Sequence, residues 1–331
     1  MRKFSSRQGC RRSRLAAYCV FMSSDLNRMS RTTVRTALVV ATYGRRLGLR
    51  LDDGGDGAGR IKGKTIQPVC GDKVEVQPIP NEPDWLITKI LPRVNQLTRP
   101  NQRGKVEVLA ANLDAIGVVA ADSPPPDWFI VDRYICAAEL MGAAIAVIFN
   151  KADVGHIEQS SADALAEYTR IGYVTLRCSA RQERNLEPLE DFLASRTAII
   201  VGQSGVGKSS IINKLTSDDA RAVASLSVSS GEGRHTTVNS VLLALPNGGA
   251  VIDSPGVRDY APAIDRPADA ANGFREIRES SQNCKFSNCR HLKEPSCKVK
   301  ADVAEGRIGE RRYESYRRLL FAAERLADRF R

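Results

Sequence analysis

Residues 200–213 read Ile-Val-Gly-Gln-Ser-Gly-Val-Gly-Lys-Ser-Ser-Ile-Ile-Asn. Within this stretch, Gly202, Gly207, Lys208 and Ser209 have the spacing G-x-x-x-x-G-K-[ST] of a phosphate-binding loop. Because glycine has no Cβ, backbone N–H groups can turn inward around an anion there, and the helix that follows adds its positive N-terminal end. The lysine supplies a full charge for the β and γ phosphates, and the Ser209 hydroxyl can ligate Mg²⁺.

Apolar β-branched residues before the loop and apolar residues at helical spacing after it predict the strand and the helix that such a loop needs. This context favours a nucleotide site over an incidental glycine-rich turn. We therefore predict that the phosphates bind along the whole loop. The predicted contacts are Gly202, Gln203, Ser204, Gly205, Val206, Gly207, Lys208, Ser209 and Ser210.

A second motif, Asn150-Lys-Ala-Asp153, follows another apolar run and indicates which base is bound. A carboxylate such as Asp153 can accept hydrogen bonds from N1–H and the 2-amino group of guanine together, a donor pair that adenine lacks. Asn150 can serve the N7/O6 edge, and the stem of Lys151 can lie along the ring face. Ser179 and Ala180 form a weaker candidate loop for the same base. These signals together favour GTP over ATP.

Two further segments fit the γ-phosphate end of such a nucleotide. Asp253 begins the tetrapeptide Asp-Ser-Pro-Gly, and we interpret it as the carboxylate near Mg²⁺, with the Gly256 N–H on the γ-phosphate. The polar segment 216–238 is rich in glycine and serine, as is typical of a first switch loop. A threonine there can close on Mg²⁺ when the γ-phosphate is present. The spacing does not decide between Thr236 and Thr237, and we favour Thr237.

The order of these motifs along the chain is unusual. In ordinary small GTPases the phosphate loop comes first and the guanine motifs last, whereas here the guanine motifs come first. The same parallel sheet forms if the old termini are joined and the chain is cut elsewhere. From about residue 35 onward the sequence resembles the RsgA family, which are circularly permuted GTPases of small-ribosomal-subunit biogenesis. The most specific pieces are the permuted order, Gly-Arg-His-Thr-Thr at 233–237, and a Cys/His cluster near the C-terminus.

The group that promotes hydrolysis is not the usual glutamine. Val257 stands where many GTPases have a glutamine that orients water, and valine cannot do so. Arg234 and His235 in the switch segment are the candidates. The resemblance to RsgA favours His235 as the catalytic residue.

The composition limits the classes of partner. A chain of 331 residues has room for two or three domains, and 42% hydrophobic residues are enough for real cores. No apolar run approaches the ~20 residues that span a bilayer. The net charge of +11 favours an anionic partner, of which nucleic acid is the first choice and a membrane surface the second.

Residues 1–35 differ from the rest of the chain. They hold nine basic residues and one acidic residue, are rich in serine and have no clear periodicity. We interpret them foremost as a basic, disordered extension, with Met22 and Met29 as alternative starts. A polybasic arm for RNA phosphates and an organelle transit peptide stay open as alternatives.

Residues 36–92 contain short apolar runs separated by glycine turns, which predicts a small β-barrel with a flexible hairpin tip at 52–59. The resemblance to RsgA makes this barrel an OB-fold that contacts ribosomal RNA. A structural barrel without a ligand is the alternative, because only Tyr43 and Trp85 offer stacking rings. The basic residues available for RNA are Arg45, Arg46, Arg50, Arg60, Lys62 and Lys64.

The last 70 residues combine helical periodicity with the spacing Cys284-x₄-Cys289-x-His291-x₅-Cys297. Four such ligands fill a tetrahedron and leave no position for water, which is typical of a structural zinc site. Disulfides fit poorly, because the other cysteines are scattered and no credible secretion signal is present. The resemblance to RsgA places the metal on the same four residues. The final helix also has an arginine-rich side that is either solvated or RNA-binding, formed by Arg311, Arg312, Arg317, Arg318, Arg325 and Arg329.

We therefore expect a multi-domain α/β protein. Its predicted parts are a basic extension (1–35), an OB-fold β-barrel (36–92), a circularly permuted P-loop GTPase domain with a mostly parallel sheet (93–262), and a zinc-binding α-helical domain (263–331). The residues themselves predict hydrolysis of GTP to GDP with Mg²⁺, one structural Zn²⁺ and an anionic partner.

The resemblance adds the small ribosomal subunit and its rRNA as partner, with late maturation of the subunit as the role. Because the switch loop with His235 is rich in glycine and serine, we expect slow hydrolysis alone and faster turnover when the subunit orders that loop. We expect a monomer in the cytoplasm with no membrane partner. The alternative function is an RNA-binding assembly module whose nucleotide pocket regulates docking without useful turnover.

Overall fold

The computed structural model describes residues 34–44, 46–61, 63, 65–100, 105–216, 240–254, 264 and 266–328. The strands are β1 (Arg35–Tyr43), β2 (Arg46–Leu51), β3 (Asp56–Ile61), β4 (Lys73–Pro78), β5 (Trp85–Ile90), β6 (Gln96–Pro100), β7 (Val106–Ala111), β8 (Ala115–Ala120), β9 (Ala144–Phe149), β10 (Val174–Arg177), β11 (Thr197–Gly202), β12 (Ser240–Ala244) and β13 (Ala250–Asp253). The α-helices are α1 (Trp128–Met141), α2 (Gln159–Ile171), α3 (Glu187–Leu193), α4 (Lys208–Leu215), α5 (Arg275–Ser281), α6 (Lys298–Ala304) and α7 (Glu310–Asp328). A 3₁₀ helix covers Pro267–Gly273. None of these helices in the described ranges combines the length and the apolar character needed to cross a bilayer.

Eleven strands form one continuous sheet in the order β10-β9-β8-β11-β13-β12-β1-β2-β3-β5-β4. Strands β10, β9, β8, β11 and β13 run parallel, and β12 is antiparallel to β13. Every residue of β8 is buried, as expected for a strand with helices on both faces. Helices α1 and α2 pack on one face of the parallel part, and α3 and α4 pack on the other. The structure thus confirms the predicted α/β sheet.

Strands β1 to β5 close into a ring through the pairings β1–β2, β2–β3, β3–β5, β5–β4 and β4–β1. Alternate residues point inward and form an apolar core that includes Val39, Leu47, Leu49, Val74 and Ile87. The predicted N-terminal β-barrel is confirmed.

The predicted hairpin tip at 52–59 is correct only for residues 52–55, which connect the antiparallel strands β2 and β3. Residues 56–59 belong to β3, so that part of the prediction is wrong. Gly57 and Gly59 gave a turn signal, but both glycines make room for a neighbouring side chain instead. A Cβ added at Gly57 would lie 3.1 Å from Cδ1 of Trp85. One added at Gly59 would lie 2.6 Å from Cδ1 of Leu49.

The barrel and the parallel sheet are joined without a break. Ala41 and Thr42 of β1 pair with Val241 and Ser240 of β12. Strand β12 in turn pairs with β13 along its length. The barrel and the sheet are predicted as separate units, because no local pattern indicates a pairing between residues so far apart in the chain.

A separate two-stranded sheet of β6 and β7 follows the barrel in the chain and is not foreseen by the sequence analysis. The segments that flank it are fixed to the barrel. The side-chain amide of Asn112 donates to the carbonyl of Gly71 at 2.8 Å. The guanidinium of Arg93 donates to both carboxylate oxygens of the buried Asp72, at 2.7 and 2.8 Å.

The 3₁₀ helix and helices α5 to α7 enclose a core of their own, which includes Phe274, Ile277, Leu319 and Leu320. This confirms the predicted helical C-terminal region. Cys136 of α1 is fully buried in the same cluster, so the region is packed directly onto α1.

Two arginines of α7 do not have the role expected of them. Arg312 is completely buried and donates to Asp132 and Glu276, each at 2.8 Å. Arg311 donates to Asp132 at 2.9 Å and to Glu167 at 2.7 Å. These two residues therefore form neither a solvated nor an RNA-binding face, because their charges are used against the carboxylates of α1, α2 and α5.

The barrel arginines are also neutralised internally. Arg46 and Arg60 both contact the buried carboxylate of Asp84, at 3.2 and 2.6 Å. Arg50 pairs with Asp56 at 3.3 Å. This weakens the argument from charge for RNA on the described part of the barrel. Three other basic residues named above, Arg45, Lys62 and Lys64, lie outside the described residues.

Candidate nucleotide-binding site and metal centre

The predicted nucleotide motifs meet at one edge of the parallel sheet. The phosphate loop begins at Gly202, the last residue of β11, and Asn150 directly follows β9. Asp253 ends β13, and Ser179 lies two residues beyond β10. Because parallel strands have their carboxyl ends at the same edge, the permuted order still brings these motifs together.

The phosphate loop needs glycine at two positions for reasons visible in the structure. Gly202 has a φ of 137°, and a Cβ there would lie 2.2 Å from the carbonyl oxygen of Val119. Gly207 has a φ of 95°, and a Cβ there would lie 2.3 Å from Nδ2 of Asn150. The glycine spacing therefore permits both the left-handed backbone and the close approach of a neighbouring strand end.

The loop's side chains are arranged around its backbone. The Lys208 ammonium donates to the carbonyls of Gly202 and Gln203 at 2.8 and 2.7 Å. Ser209 and Ser210 are exposed on the first turn of α4. The cation, the hydroxyls and the helix N-terminus are thus gathered where an anion would sit.

Asn150 and Lys151 hold the phosphate loop from the side. The amide of Asn150 donates to the carbonyl of Val206 at 3.0 Å, and its oxygen accepts from the N–H of Ala180 at 3.1 Å. The Lys151 ammonium donates to the carbonyl of Gly205 at 2.8 Å. Both side chains therefore have a positioning role, and their contacts with a base stay a prediction.

Asp153 is linked to the second guanine segment. The Ser179 hydroxyl donates to one of its carboxylate oxygens and accepts from the N–H of Gln182 at 3.2 Å. The hydrogen bond from Ser179 lowers the pKa of the Asp153 carboxyl below its ordinary value, which keeps it an acceptor.

A cavity of about 600 Å³ opens between these motifs. Its lining includes Asn150, Lys151, Asp153, Ala180 and Gly207, which are predicted site residues. A volume of this size suits a nucleotide-sized ligand. A cavity of about 700 Å³ beside β7 has none of the predicted site residues in its lining.

Five residues that line the same cavity were not predicted from the sequence: Ser123, Val154, Arg181, Asn213 and Lys214. Ser123 begins a proline-rich turn that gave no functional signal. The other four lie next to predicted motifs, so extending each motif by one turn would have found them.

Several predicted residues cannot be placed. The segment with Thr236, Thr237 and His235 lies outside the described residues, as do Gly256 and its neighbour Val257. Arg234 and Arg329 lie outside them as well. The assignments to Mg²⁺, to the γ-phosphate and to hydrolysis stay predictions.

The four predicted metal ligands, Cys284, Cys289, His291 and Cys297, come together, with all ligand atoms within 4.8 Å of one another. The Cys284 and Cys297 sulfurs are each 3.5 Å from Nδ1 of His291, and 3.9 Å from each other. A tetrahedral zinc with ordinary bond lengths would separate two sulfurs by about 3.8 Å and a sulfur from a nitrogen by about 3.6 Å. The cluster therefore fits zinc.

The protonation chemistry of the cluster also favours a cation. Burial, together with the neighbouring sulfurs, raises the pKa of the Cys297 thiol to about 12, so a cation is needed to hold this sulfur as a thiolate. Burial lowers the pKa of His291, which favours the neutral ring that a metal requires. Helix α7 supports the loop, since the hydroxyls of Tyr313 and Tyr316 donate to the carbonyls of His291 and Arg290.

Comparison with known proteins agrees with this architecture. The family model described as RsgA GTPase matches residues 90–262. A small ribosomal subunit biogenesis GTPase RsgA from Azotobacter vinelandii is 39% identical, over 86% of this chain and 85% of the relative. A protein of the same name from Alcanivorax borkumensis is 37% identical, over 84% of this chain and 82% of the relative.

Two solved structures have the same fold. The crystal structure of YjeQ from Thermotoga maritima superposes with a TM-score of 0.67 at 26% identity, covering 88% of this chain and 99% of the other. That of YloQ, described as a circularly permuted GTPase, gives a TM-score of 0.66 at 23% identity, covering 89% and 96%. The chain belongs to the RsgA GTPase family and is a GTP-hydrolysing enzyme.

Proposed function

We propose that this enzyme binds the small ribosomal subunit, assists its late maturation, and hydrolyses GTP faster when the subunit is bound. The observation that supports a guanine nucleotide is the meeting of the phosphate loop, Asn150–Asp153 and Ser179–Ala180 around one cavity. The names of the relatives, small ribosomal subunit biogenesis GTPase, support the partner.

In this proposal the phosphate loop from Gly202 to Ser210 holds the phosphates through its N–H groups, and Lys208 turns from the loop carbonyls to the phosphates. Asp153 accepts from the base, held by Ser179. Asn150 and Lys151 bind the phosphate loop, and Asn150 also binds Ala180, so the loop is held beside the second guanine segment. GTP is the substrate and GDP the product.

Mg²⁺ belongs to the proposed site, with Ser209 and Thr237 as the residues that would hold it and Asp253 nearby. When bound it neutralises charge on the β and γ phosphates. The protein's own contribution to turnover is to place the water. We assign this step to His235, with Arg234 as the alternative, because neither Lys208 nor the loop amides can orient a water.

Zinc has a structural role in the proposal. The four residues would supply all the ligands of a tetrahedral zinc and leave no open position for a substrate or water. The metal would hold the loop between α5 and α6 against the tyrosines of α7. This gives the C-terminal region a fixed surface.

The RNA-binding surface follows from the distribution of charge. The segment 1–35 contains most of the net charge, whereas the arginines of the described barrel pair with acids of the barrel itself. We therefore place the strongest electrostatic attraction to rRNA in that extension. The proposed domain boundaries are those of the sequence analysis, and we propose a cytoplasmic monomer without a membrane partner.

The test is single-turnover GTP hydrolysis with and without purified small subunits. We expect slow hydrolysis alone and a large increase with subunits. His235→Ala should lose most of the stimulated rate while its GTP affinity changes by less than about tenfold, whereas Lys208→Ala should lose affinity and turnover together. No hydrolysis in either condition would overturn the proposal in favour of a non-hydrolysing assembly module. Full stimulation of His235→Ala would remove His235 from its role.

A further inference from the structure

Helix α1 contacts the phosphate loop at its N-terminal end. The side-chain oxygen of Gln203 accepts from the backbone N–H of Asp127, the N-cap residue of α1, at 3.1 Å. The Asp127 carboxylate in turn accepts from the N–H of Phe129 at 3.0 Å. The turn before the helix is tied to the same loop, because Lys151 donates to the carbonyls of both Ser123 and Gly205.

One face of the same helix is covered by the C-terminal region. Its contact residues Phe129, Asp132, Cys136 and Glu139 have helical spacing and therefore lie on one side. Cys136 is so close to the 3₁₀ helix that a Cβ at Gly273 would lie 2.2 Å from its sulfur.

The polar contacts on this face fix one arrangement. Asp132 is fully buried and accepts from Arg311 and Arg312 of α7. Glu139 accepts from Arg275 at 2.6 Å. A buried charge that loses its partner is costly, so α1 cannot slide along the C-terminal region without breaking these pairs.

The first turn of α1 belongs to both contacts. The guanidinium of Arg318 lies 3.8 Å above the ring of Phe129, within the range of a cation–π interaction. Phe129 is also the residue whose N–H is capped by Asp127, beside Gln203. The distance from α7 to the phosphate loop is therefore bridged by three consecutive contacts.

From these contacts we infer that the C-terminal region holds the phosphate loop in its binding conformation through α1, with Gln203 as the positioning residue. Occupancy of the Cys₃His centre and occupancy of the nucleotide cavity then strengthen each other. This rests on the proposed nucleotide and zinc sites. It adds a coupling between the two sites that passes through α1 and does not involve the switch loop 216–238.

The expected change in GDP affinity is set by the weakest of these contacts, a single hydrogen bond. A single hydrogen bond contributes about 1 kcal/mol, which corresponds to about a fivefold change in affinity. Binding coupling is reciprocal, so nucleotide must tighten zinc binding by the same factor.

The experiment measures the Kd for GDP with Mg²⁺ by calorimetry, on the full chain with zinc and after a zinc-selective chelator. We expect about fivefold weaker GDP binding without zinc, and about fivefold tighter zinc binding in a chelator competition when GDP is saturating. In Gln203→Ala both ratios should fall well below five, because only the weaker link through Lys151 and the turn before α1 then remains.

A second variant leaves the zinc ligands in place, in case zinc removal causes aggregation. Arg318→Ala should weaken GDP binding about two- to threefold at full zinc occupancy, as expected for loss of part of a single contact. Arg325→Ala is the matched control, because Arg325 is exposed on the same helix and among the described residues makes no hydrogen bond, ion pair or cation–π contact with α1; it should bind GDP normally.

Equal GDP affinity with and without zinc, or an unchanged zinc response in Gln203→Ala, would overturn the coupling. Equal GDP affinity of the Arg318→Ala and Arg325→Ala proteins would count against it as well. A wild-type chain that binds no GDP at all would instead overturn the proposed function.

Discussion

The nucleotide site and the Cys₃His centre are built in opposite ways. The nucleotide site takes its residues from the ends of four strands spread over about 100 residues, and most of its contacts involve the backbone. The metal centre takes four side chains from one short loop. The first depends on the sheet for its geometry, whereas the second would contribute its own folding energy through the proposed zinc. The two should therefore fail differently when they are disturbed.

Breaking the metal centre should have the largest effect. Structural zinc contributes about 10–16 kcal/mol in small zinc domains, so Cys289→Ser should unfold the region from about residue 266 onward. Hydrogen exchange would show lost protection in α5 to α7 while β1 to β5 stay protected. Cys70→Ser, a buried cysteine outside the cluster, is the control and should retain α5 to α7. Normal protection of α7 in Cys289→Ser would mean that the metal is not structural.

The second-largest effect should follow from breaking the contact between α7 and α1. Arg312→Met leaves the buried Asp132 without one of its cations, and removing one partner of a buried pair costs about 3–5 kcal/mol. Urea denaturation should report this loss. Arg317→Met removes a half-exposed arginine from the same helix, and its pair with Glu314 should matter by less than about 1 kcal/mol. Similar losses in the two variants would show that burial does not decide the strength of these pairs.

Loss of base recognition should have a smaller effect, which is on GTP binding rather than on folding. Asp153→Asn turns a pure acceptor into a mixed group, so the N1–H and 2-amino contacts cannot both be made. We expect GTP to bind more weakly than to the wild-type protein, with partial recovery for xanthosine triphosphate. Asp163→Asn on the exposed side of α2 is the matched control. Unchanged GTP affinity in Asp153→Asn would make the guanine assignment wrong.

The smallest effect concerns the pH dependence of GDP binding at the same site. Ser179 lowers the pKa of Asp153, so the stabilisation is present above the carboxyl's ordinary pKa and is lost as the pH falls through the lowered value. Ser179→Ala should raise this pKa and leave GDP affinity at neutral pH nearly unchanged, but affinity should weaken earlier on acidification. Titration of the Asp153 carboxyl by NMR measures the shift. An unchanged Asp153 pKa in Ser179→Ala would show that the hydrogen bond from Ser179 is not what lowers this pKa.

Local chemistry explains what could be predicted from the sequence. The phosphate loop and the Cys₃His cluster each depend on residue types at fixed short spacings, and both are assembled at the predicted residues. The parallel sheet followed from alternating apolar strands and amphipathic helices, even though the chain order is permuted.

The missed features depend on partners far away in the chain. Arg312 looked like a surface residue because its partner Asp132 is 180 residues distant. The segment with Gly57 and Gly59 looked like a turn because glycine is common in turns. These glycines lie in a strand instead, where Trp85 and Leu49 occupy the space that a Cβ would fill. In each case the residue type was informative only together with a neighbour that the local pattern does not specify.

The seam between β1 and β12 has a consequence for synthesis of the chain. All barrel strands precede residue 91, whereas β12 ends at Ala244. At typical elongation rates of about 5–20 residues per second, β12 follows the completed barrel strands after roughly 8–30 seconds. Strand β4 pairs with β1 only from Arg35 to Leu38. On that edge, the backbone of Ala41 and Thr42 therefore lacks its partner strand until β12 has been synthesised. An uncovered strand edge is a template for pairing with another chain. We therefore expect nascent chains that stop before β12 to self-associate through this edge, and a lysine in place of Thr42 to prevent it.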